Sequence, residues 1–209
     1  MEKALETLTT TEAAVVAGVS VDDVNRTIDR RILPESLYST SAVRTLKRDA
    51  CLWIAFWFET ADWLTPNARQ RVILDGSVRC KSWAELRSCK LQESRTIEVG
   101  IQELWDEVND RLKDLQRAQE MVVEDPEILS GTPVIQGTRI PVYEVASLVE
   151  EKTPVDELKE LYPRLSEEQF RLASVYAKAR PRRGRPKRRS LAGLDRISIS
   201  KKHLREASI

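Results

Sequence analysis

The stretch Thr9-Thr-Thr-Glu-Ala-Ala-Val-Val-Ala-Gly-Val-Ser-Val-Asp-Asp23 decides how the chain folds. Thr9 with Glu12 three residues later is a capping box, and the short side chains Ala13 to Ala17 carry a helix forward from it. Gly18 ends that helix. Ser20 opens a second one, in which Val21, Val24 and Ile28 recur at the spacing of one helical face. Two short helices around a glycine-containing turn make a helix-turn-helix, spanning about Thr9 to Tyr38. Arg31-Ile-Leu-Pro-Glu-Ser-Leu-Tyr38 is a candidate strand-turn-strand wing behind it.

Working outward, Ser41 is read as the cap of a long helix to about Ala61, with Leu46, Leu52, Trp53, Phe56 and Trp57 as its apolar face. Thr65-Pro66, an N-cap followed by proline, opens a helix to about Leu74. Short strands are expected near Val78–Lys81 and Arg95–Val99. Ile101, Leu104, Trp105, Val108, Leu112 and Leu115 mark one face of a helix of roughly twenty residues. Beyond Glu124, Val134-Ile-Gln-Gly-Thr-Arg-Ile140 reads as a strand or tight hairpin about its glycine. Three helices then follow, at about 142–151, from Thr153-Pro154 to Leu161, and from the capping box Ser166-Glu-Glu-Gln169 to Ala179. They fit a second helix-turn-helix. Pro181, Gly184 and Pro186 exclude regular structure after it. The expected class is mainly α, in four pieces: residues 1–64, 65–122, 123–179 and a basic extended tail at 180–209.

Charge divides the chain more sharply than its formal net of +1 implies. From Lys178 onward there are 12 Lys/Arg against 2 Asp/Glu, whereas the preceding residues hold 22 against 31. Seven cations fall within Arg180-Pro-Arg-Arg-Gly-Arg-Pro-Lys-Arg-Arg189 alone. A basic arm on an acidic body points to a polyanion or an acidic partner. Three cysteines at irregular spacing make no disulfide framework, and one histidine, His203, leaves no set of zinc ligands. The N-terminus lacks the apolar core of a signal peptide, and Leu52–Phe58 is too short to span a bilayer. A reducing, cytoplasmic setting follows. With no P-loop, no dinucleotide fingerprint and no material for a triad, the chain reads as a non-enzyme without cofactor or metal.

The run Glu124-Asp-Pro-Glu-Ile-Leu-Ser-Gly-Thr-Pro-Val-Ile-Gln-Gly-Thr-Arg-Ile-Pro-Val142, with Leu161-Tyr-Pro-Arg-Leu-Ser166 further on, resembles the family catalogued as domain of unknown function 433 over about residues 123–179. The usual signature has Arg where this chain has Gln136. The resemblance implies a small helix-turn-helix module, often found in bacterial antitoxins encoded beside a PIN-domain ribonuclease. The whole layout is similar to the longer VapB-type antitoxins. Independently of that likeness, Gly131, Pro133, Gly137 and Pro141 set tight turns around Val134, Ile135, Thr138, Arg139 and Ile140. The edge of so small a sheet invites pairing with a second copy, giving a homodimer or a higher hetero-oligomer. The alternative is a hairpin that covers its own helices.

DNA contact needs local cations. Asp125–Ala177 holds five Lys/Arg against ten Asp/Glu, so this module reads as scaffold. Arg26–Arg48 holds six against two. Asn25 and Arg26 sit where a recognition helix reads bases, Arg30 and Arg31 sit at its end, and Arg44 and Lys47 follow. This segment is similar to winged units of excisionase type; a solvated basic face on a core bundle is the alternative. In the tail, Arg183, Gly184, Arg185 and Pro186 match the core of an AT-hook, whose arginines lie along a narrow minor groove, and Arg182 beside them is a further DNA-contact candidate. A generic basic linker would share its salt dependence. The last twenty residues alternate apolar and basic side chains. If the antitoxin resemblance holds, Leu194, Ile197 and Leu204 would anchor in a groove of a PIN-domain toxin, and Arg196, Lys202 and Arg205 would face its metal-binding carboxylates.

Overall fold

The computed structural model describes residues 5–92 and 98–182. The described residues are mainly helical. Strand β1 (Thr7–Thr9) leads into helix α1 (Thr10–Ala17), and α2 is Val21–Asp29. The capping box is formed: the Glu12 amide donates to the Thr9 hydroxyl at 3.3 Å, and the Thr9 amide donates to the Glu12 carboxylate at 2.9 Å. Gly18 takes φ +72°, a left-handed conformation that favours glycine, and the Arg111 guanidinium lies beside it. Val24 and Ile28 are buried as the periodicity predicts, whereas Val21 is exposed.

A wing follows, displaced from its expected place. Strands β2 (Tyr38–Ser39) and β3 (Thr45–Lys47) pair antiparallel, and β1 pairs with the other side of β3, so the sheet order is β1-β3-β2. Leu8, Leu46 and Tyr38 share one register line, with Leu8 and Leu46 buried. Arg31–Leu37 is not a strand. Arg31 turns into the left-handed region at φ 50°, Pro34 has no amide to pair, and Glu35–Leu37 forms a 3-10 turn. Ser41 therefore caps nothing. The two-sided pairing of β3 holds residues 45–47 extended, and helix α3 starts only at Arg48 and ends at Glu59. From Ala50 to Phe56 every residue of α3 is buried, as expected of a helix enclosed on all sides.

Helix α4 (Pro66–Arg79) runs past the expected stop at Leu74 and covers Val78 and Arg79 of the strand expected at 78–81. Within it Gly76 leaves room for the Trp53 ring: a Cβ there would sit 2.7 Å from the Trp53 Cζ2. Helix α5 (Trp83–Arg87) and an antiparallel hairpin, β4 (Lys90–Gln92) with β5 (Glu98–Gly100), come next. Of the expected strand Arg95–Val99, only the part from Glu98 lies within the described residues. Helix α6 (Gln102–Glu120) buries Val108, Leu112, Leu115 and Ala118.

One core runs from Leu8 to Leu115 and takes in Ala179, so the expected pieces 1–64 and 65–122 share an interior. A second core, from Ala118 to Tyr176, belongs to β6 (Val122–Val123), β7 (Val134–Ile135), α7 (Val142–Glu150), α8 (Val155–Leu161) and α9 (Glu167–Ala179). Helix α1 packs on α2, α3, α6 and α9, and α6 also packs on α9. The opening helix-turn-helix is thus seated on both cores.

Candidate nucleic-acid interface

Helix α2 and the wing form a single charged face. Arg44, in the turn between β2 and β3, reaches back to α2. Its Nη1 donates to Asn25 Oδ1 at 3.0 Å and its Nη2 to Asp29 Oδ1 at 2.7 Å. Arg26 donates to Asp23 at 2.7 Å on its own helix. Three of the predicted DNA contacts, Asn25, Arg26 and Arg44, are therefore engaged with each other or with local carboxylates. Arg30, Arg31 and Lys47 are exposed and make no ion pair with any of the described residues. Arg31 is held in its left-handed turn by two bonds around it: its own amide to the Ile28 carbonyl at 3.0 Å, and the Ile32 amide to the Thr27 carbonyl at 2.9 Å. A non-glycine residue held there aims its side chain out of the regular helix path. Arg31 lines an open cleft of about 560 Å³ between the end of α2 and the wing, with Tyr38, Ser39, Thr40 and Ser41. The cleft also contains Asp29, already paired with Arg44, and Glu35. A cation beside several hydroxyls is a donor set for phosphate oxygens.

Arg48, the first residue of α3, is turned inward. Its guanidinium lies 5.0 Å from the centre of the Trp83 ring. Burial pushes the neighbouring Asp49 carboxyl above its ordinary range, against the opposing pull of Arg48 and Lys47.

The basic run begins at a fixed point. Glu12 is 6% exposed and is the hub of four bonds. Its Oε2 accepts from the Thr9 amide and hydroxyl, and its Oε1 accepts from Gln119 Nε2 at 2.8 Å and Arg180 Nε at 3.3 Å. Tyr143 Oη donates to the Arg180 carbonyl at 2.7 Å, and the Arg182 guanidinium lies 4.7 Å from the centre of the Tyr143 ring. The first of the seven cations is thus a structural clasp. Arg182 is the last described residue of the predicted DNA-binding tail. Arg183, Gly184, Arg185 and Pro186 lie outside the described residues, as do Leu194, Arg196, Ile197, Lys202, Leu204 and Arg205. In sequence, Glu12 appears only as a capping-box residue; its tie to Arg180, 168 positions away, leaves no local signal.

The signature segment folds on itself. Val134 and Ile135 are buried and pair with Val123 and Val122. On the other side, the Ile135 amide donates to the Ile140 carbonyl at 3.0 Å and the Val142 amide to the Pro133 carbonyl at 3.0 Å. The Thr138 amide closes the turn on the Ile135 carbonyl, with Gly137 at φ +75°, the position where a type II turn needs glycine. Thr138 Oγ1 also donates to the Ile135 carbonyl at 2.8 Å and accepts from the Ile140 amide at 3.1 Å. Pro141 is the N-cap of α7, Gly131 takes φ +80°, and Arg139 is exposed. Both edges of β7 are occupied within the chain, so the strand offers no edge to a second copy. Residues 133–142 thus form a hairpin within the chain, flanked on its other side by the strand Val122–Val123.

Cys80 and Cys89 are joined by a disulfide, a bridge that their spacing did not reveal. Among the described residues no group of three or more His, Cys, Asp or Glu side chains could hold a metal ion, and no helix is long and apolar enough to cross a membrane.

Residues 122–177 match the family described as protein of unknown function (DUF433). No solved structure matches the chain. Over 195 residues it is 41% identical to the uncharacterized protein y4eO of Sinorhizobium fredii, an alignment covering 88% of this chain and 86% of that one. The chain belongs to the family of y4eO and carries a DUF433 module behind its winged helix-turn-helix.

Proposed function

We propose that this protein is a cytoplasmic, DNA-binding antitoxin that represses its own operon through the winged helix-turn-helix and neutralises a PIN-domain ribonuclease through its basic tail. The observation that carries the reading is the exposed trio Arg30, Arg31 and Lys47, free of ion pairs among the described residues, on the recognition helix and wing of an otherwise acidic body. Such cations are what phosphate neutralisation needs. Beyond Arg180, which is tied to Glu12, the remaining six cations of the run to Arg189 extend the same charge along a segment suited to a minor groove. In this reading α2 enters the major groove, the wing lies on the backbone, and the DUF433 module is scaffold. Any homodimer uses a surface other than the β7 edge.

The test is co-expression with the adjacent reading frame, using the full chain and a chain ending at Arg182. The expected result is that the shortened chain still binds its own upstream duplex, with a shallower salt dependence, and no longer protects cells from the neighbouring gene product. A shortened chain that protects fully would overturn the assignment of the toxin contact to the tail. A free-standing regulator without a toxin is the second reading. It draws on the same winged unit and asks nothing of the tail, and a harmless neighbour would favour it.

A further inference from the structure

We propose that Cys80 and Cys89 are a reversible thiol–disulfide site, exchanged by a small-molecule or protein dithiol, that stiffens the brace on which the wing is seated. Cys80 caps the C-terminus of α4 and Cys89 lies between α5 and β4, so their bridge closes a short loop around α5. Both residues are half-buried and within reach of an attacking thiolate. Cys51 is not: it is fully buried, and burial pushes its thiol up to about 12. Arg79, Arg87 and Lys90 flank the two cysteines in sequence but are paired with Asp75, Asp106 and Glu98, so reactivity here rests on the exposure of the bridge.

The brace leads from this site to the wing through contacts already formed. Helix α5 has five residues, too few to persist alone. Trp83 at its start packs on Trp105 with ring centres 5.2 Å apart, donates Nε1 to Asn109 Oδ1 at 3.1 Å, and carries the Arg48 guanidinium on its face. Arg48 directly follows β3, and its amide donates to the Glu6 carbonyl at 3.1 Å, beside β1. Holding α5 therefore holds the point where β1, β3 and α3 meet.

The exchange balances without any other group. A reductant thiolate attacks one sulfur, the S–S bond breaks, and the other cysteine leaves as a thiolate and is protonated. The second thiol of the reductant then resolves the mixed disulfide. Two electrons and two protons pass to the protein, and the dithiol becomes a disulfide. A disulfide such as oxidised glutathione reverses the reaction.

The test uses the full chain, incubated first with oxidised glutathione and then with dithiothreitol. Mass spectrometry should find the Cys80–Cys89 cross-link in the first state, with only the Cys51 thiol free after denaturation, and three thiols in the second. On reduction, amide exchange should rise about threefold or more over residues 82–91 and 45–49 while α7 and α9 stay unchanged, and the melting temperature should fall by about 5–10 °C. The double variant C80S/C89S should show the reduced pattern with or without dithiothreitol. No cross-link under oxidised glutathione, or a cross-link whose reduction leaves 45–49 unaltered, would overturn the proposal. Reduction of the unaltered chain decides this even if the variant does not fold. Duplex binding measured in parallel separates the two readings: failure to bind in either redox state strikes the DNA assignment alone, since cross-linking and exchange require no DNA.

Discussion

Two parts of this molecule read as helix-turn-helix units, and they use their last helices in opposite ways. Helix α2 packs on α1 through Val24, Thr27 and Ile28 and leaves Arg26, Asp29 and Arg30 exposed. Helix α9 packs against α1, α6 and α7, burying Phe170, Leu172, Ala173, Tyr176 and Ala179. Its one mid-helix cation, Arg171, is paired with both carboxylate oxygens of Asp114 on α6. The face that α9 leaves to solvent carries Glu167, Glu168, the paired Arg171 and Lys178, a poor match to phosphate. The same motif is thus an exposed charged face at one end of the chain and a packed strut at the other.

The contrast can be broken in four ways. The largest effect is expected in the interior that α2 rests upon. Trp53→Ala should cost about 3–5 kcal/mol, and Phe170→Ala a comparable amount, in urea denaturation. Because α1 and α6 are seated on both cores, each variant should still unfold in one transition. A biphasic curve for Phe170→Ala would mean that the strut is a separate folding unit.

Next is the hub joining the two ends. Glu12→Ala leaves Gln119, Arg180 and the Thr9 amide without their shared acceptor and should cost about 2–3 kcal/mol. A loss as small as that of a surface ion pair would dissolve the link between the opening helix-turn-helix and the strut.

The third way addresses the surfaces. Arg30→Ala, or Arg31→Asn, which removes the charge but tolerates the left-handed backbone, should each weaken duplex binding about tenfold at 0.1 M salt and lower the salt slope by about one. Arg171→Ala should leave binding unchanged in fluorescence anisotropy. Equal effects at Arg30 and Arg171 would erase the distinction drawn between the two helices.

The smallest effect is set by pH. The hydrogen bond from Arg171 holds the Asp114 carboxyl below its ordinary range. The folded chain then binds fewer protons than the unfolded chain just below the ordinary aspartate value of about 3.9. The stabilisation is therefore complete above about pH 4 and is lost as the pH falls through the lower folded value. The pair is partly exposed, so its worth is about 0.5–1 kcal/mol. Asp114→Asn should flatten the acid limb of a melting series by that amount and leave the neutral region shifted by the same small quantity.

The helices with strong local signals were legible in the chain. The capping boxes at Thr9 and Ser166, the proline at the start of α4 and the one-face spacing along α6 all appear where they were expected. The errors lie where partners distant in sequence decide. Leu46 sits in β3 because Leu8 and Tyr38 pair on either side of it, although 41–61 alone reads as helix. Gly76, which reads as a helix breaker, lies inside α4 where the Trp53 ring leaves no space for a side chain. Arg44 and Arg180 look like free cations until Asp29 and Glu12 are brought to them.

Capping, periodicity and charge run are properties of neighbours in the chain, so the amino-acid order determined by itself that this protein is mainly α, that it opens on a helix-turn-helix, and that its cations gather at the C-terminal end. Pairing and exclusion are properties of neighbours in space. Only the tertiary structure decided which cations are neutralised, where the wing lies, that β7 has no open edge, that Cys80 meets Cys89, and that the last helix of the second helix-turn-helix packs against α1, α6 and α7. Each of these turns on a contact whose two halves carry no mark of one another until the chain has folded.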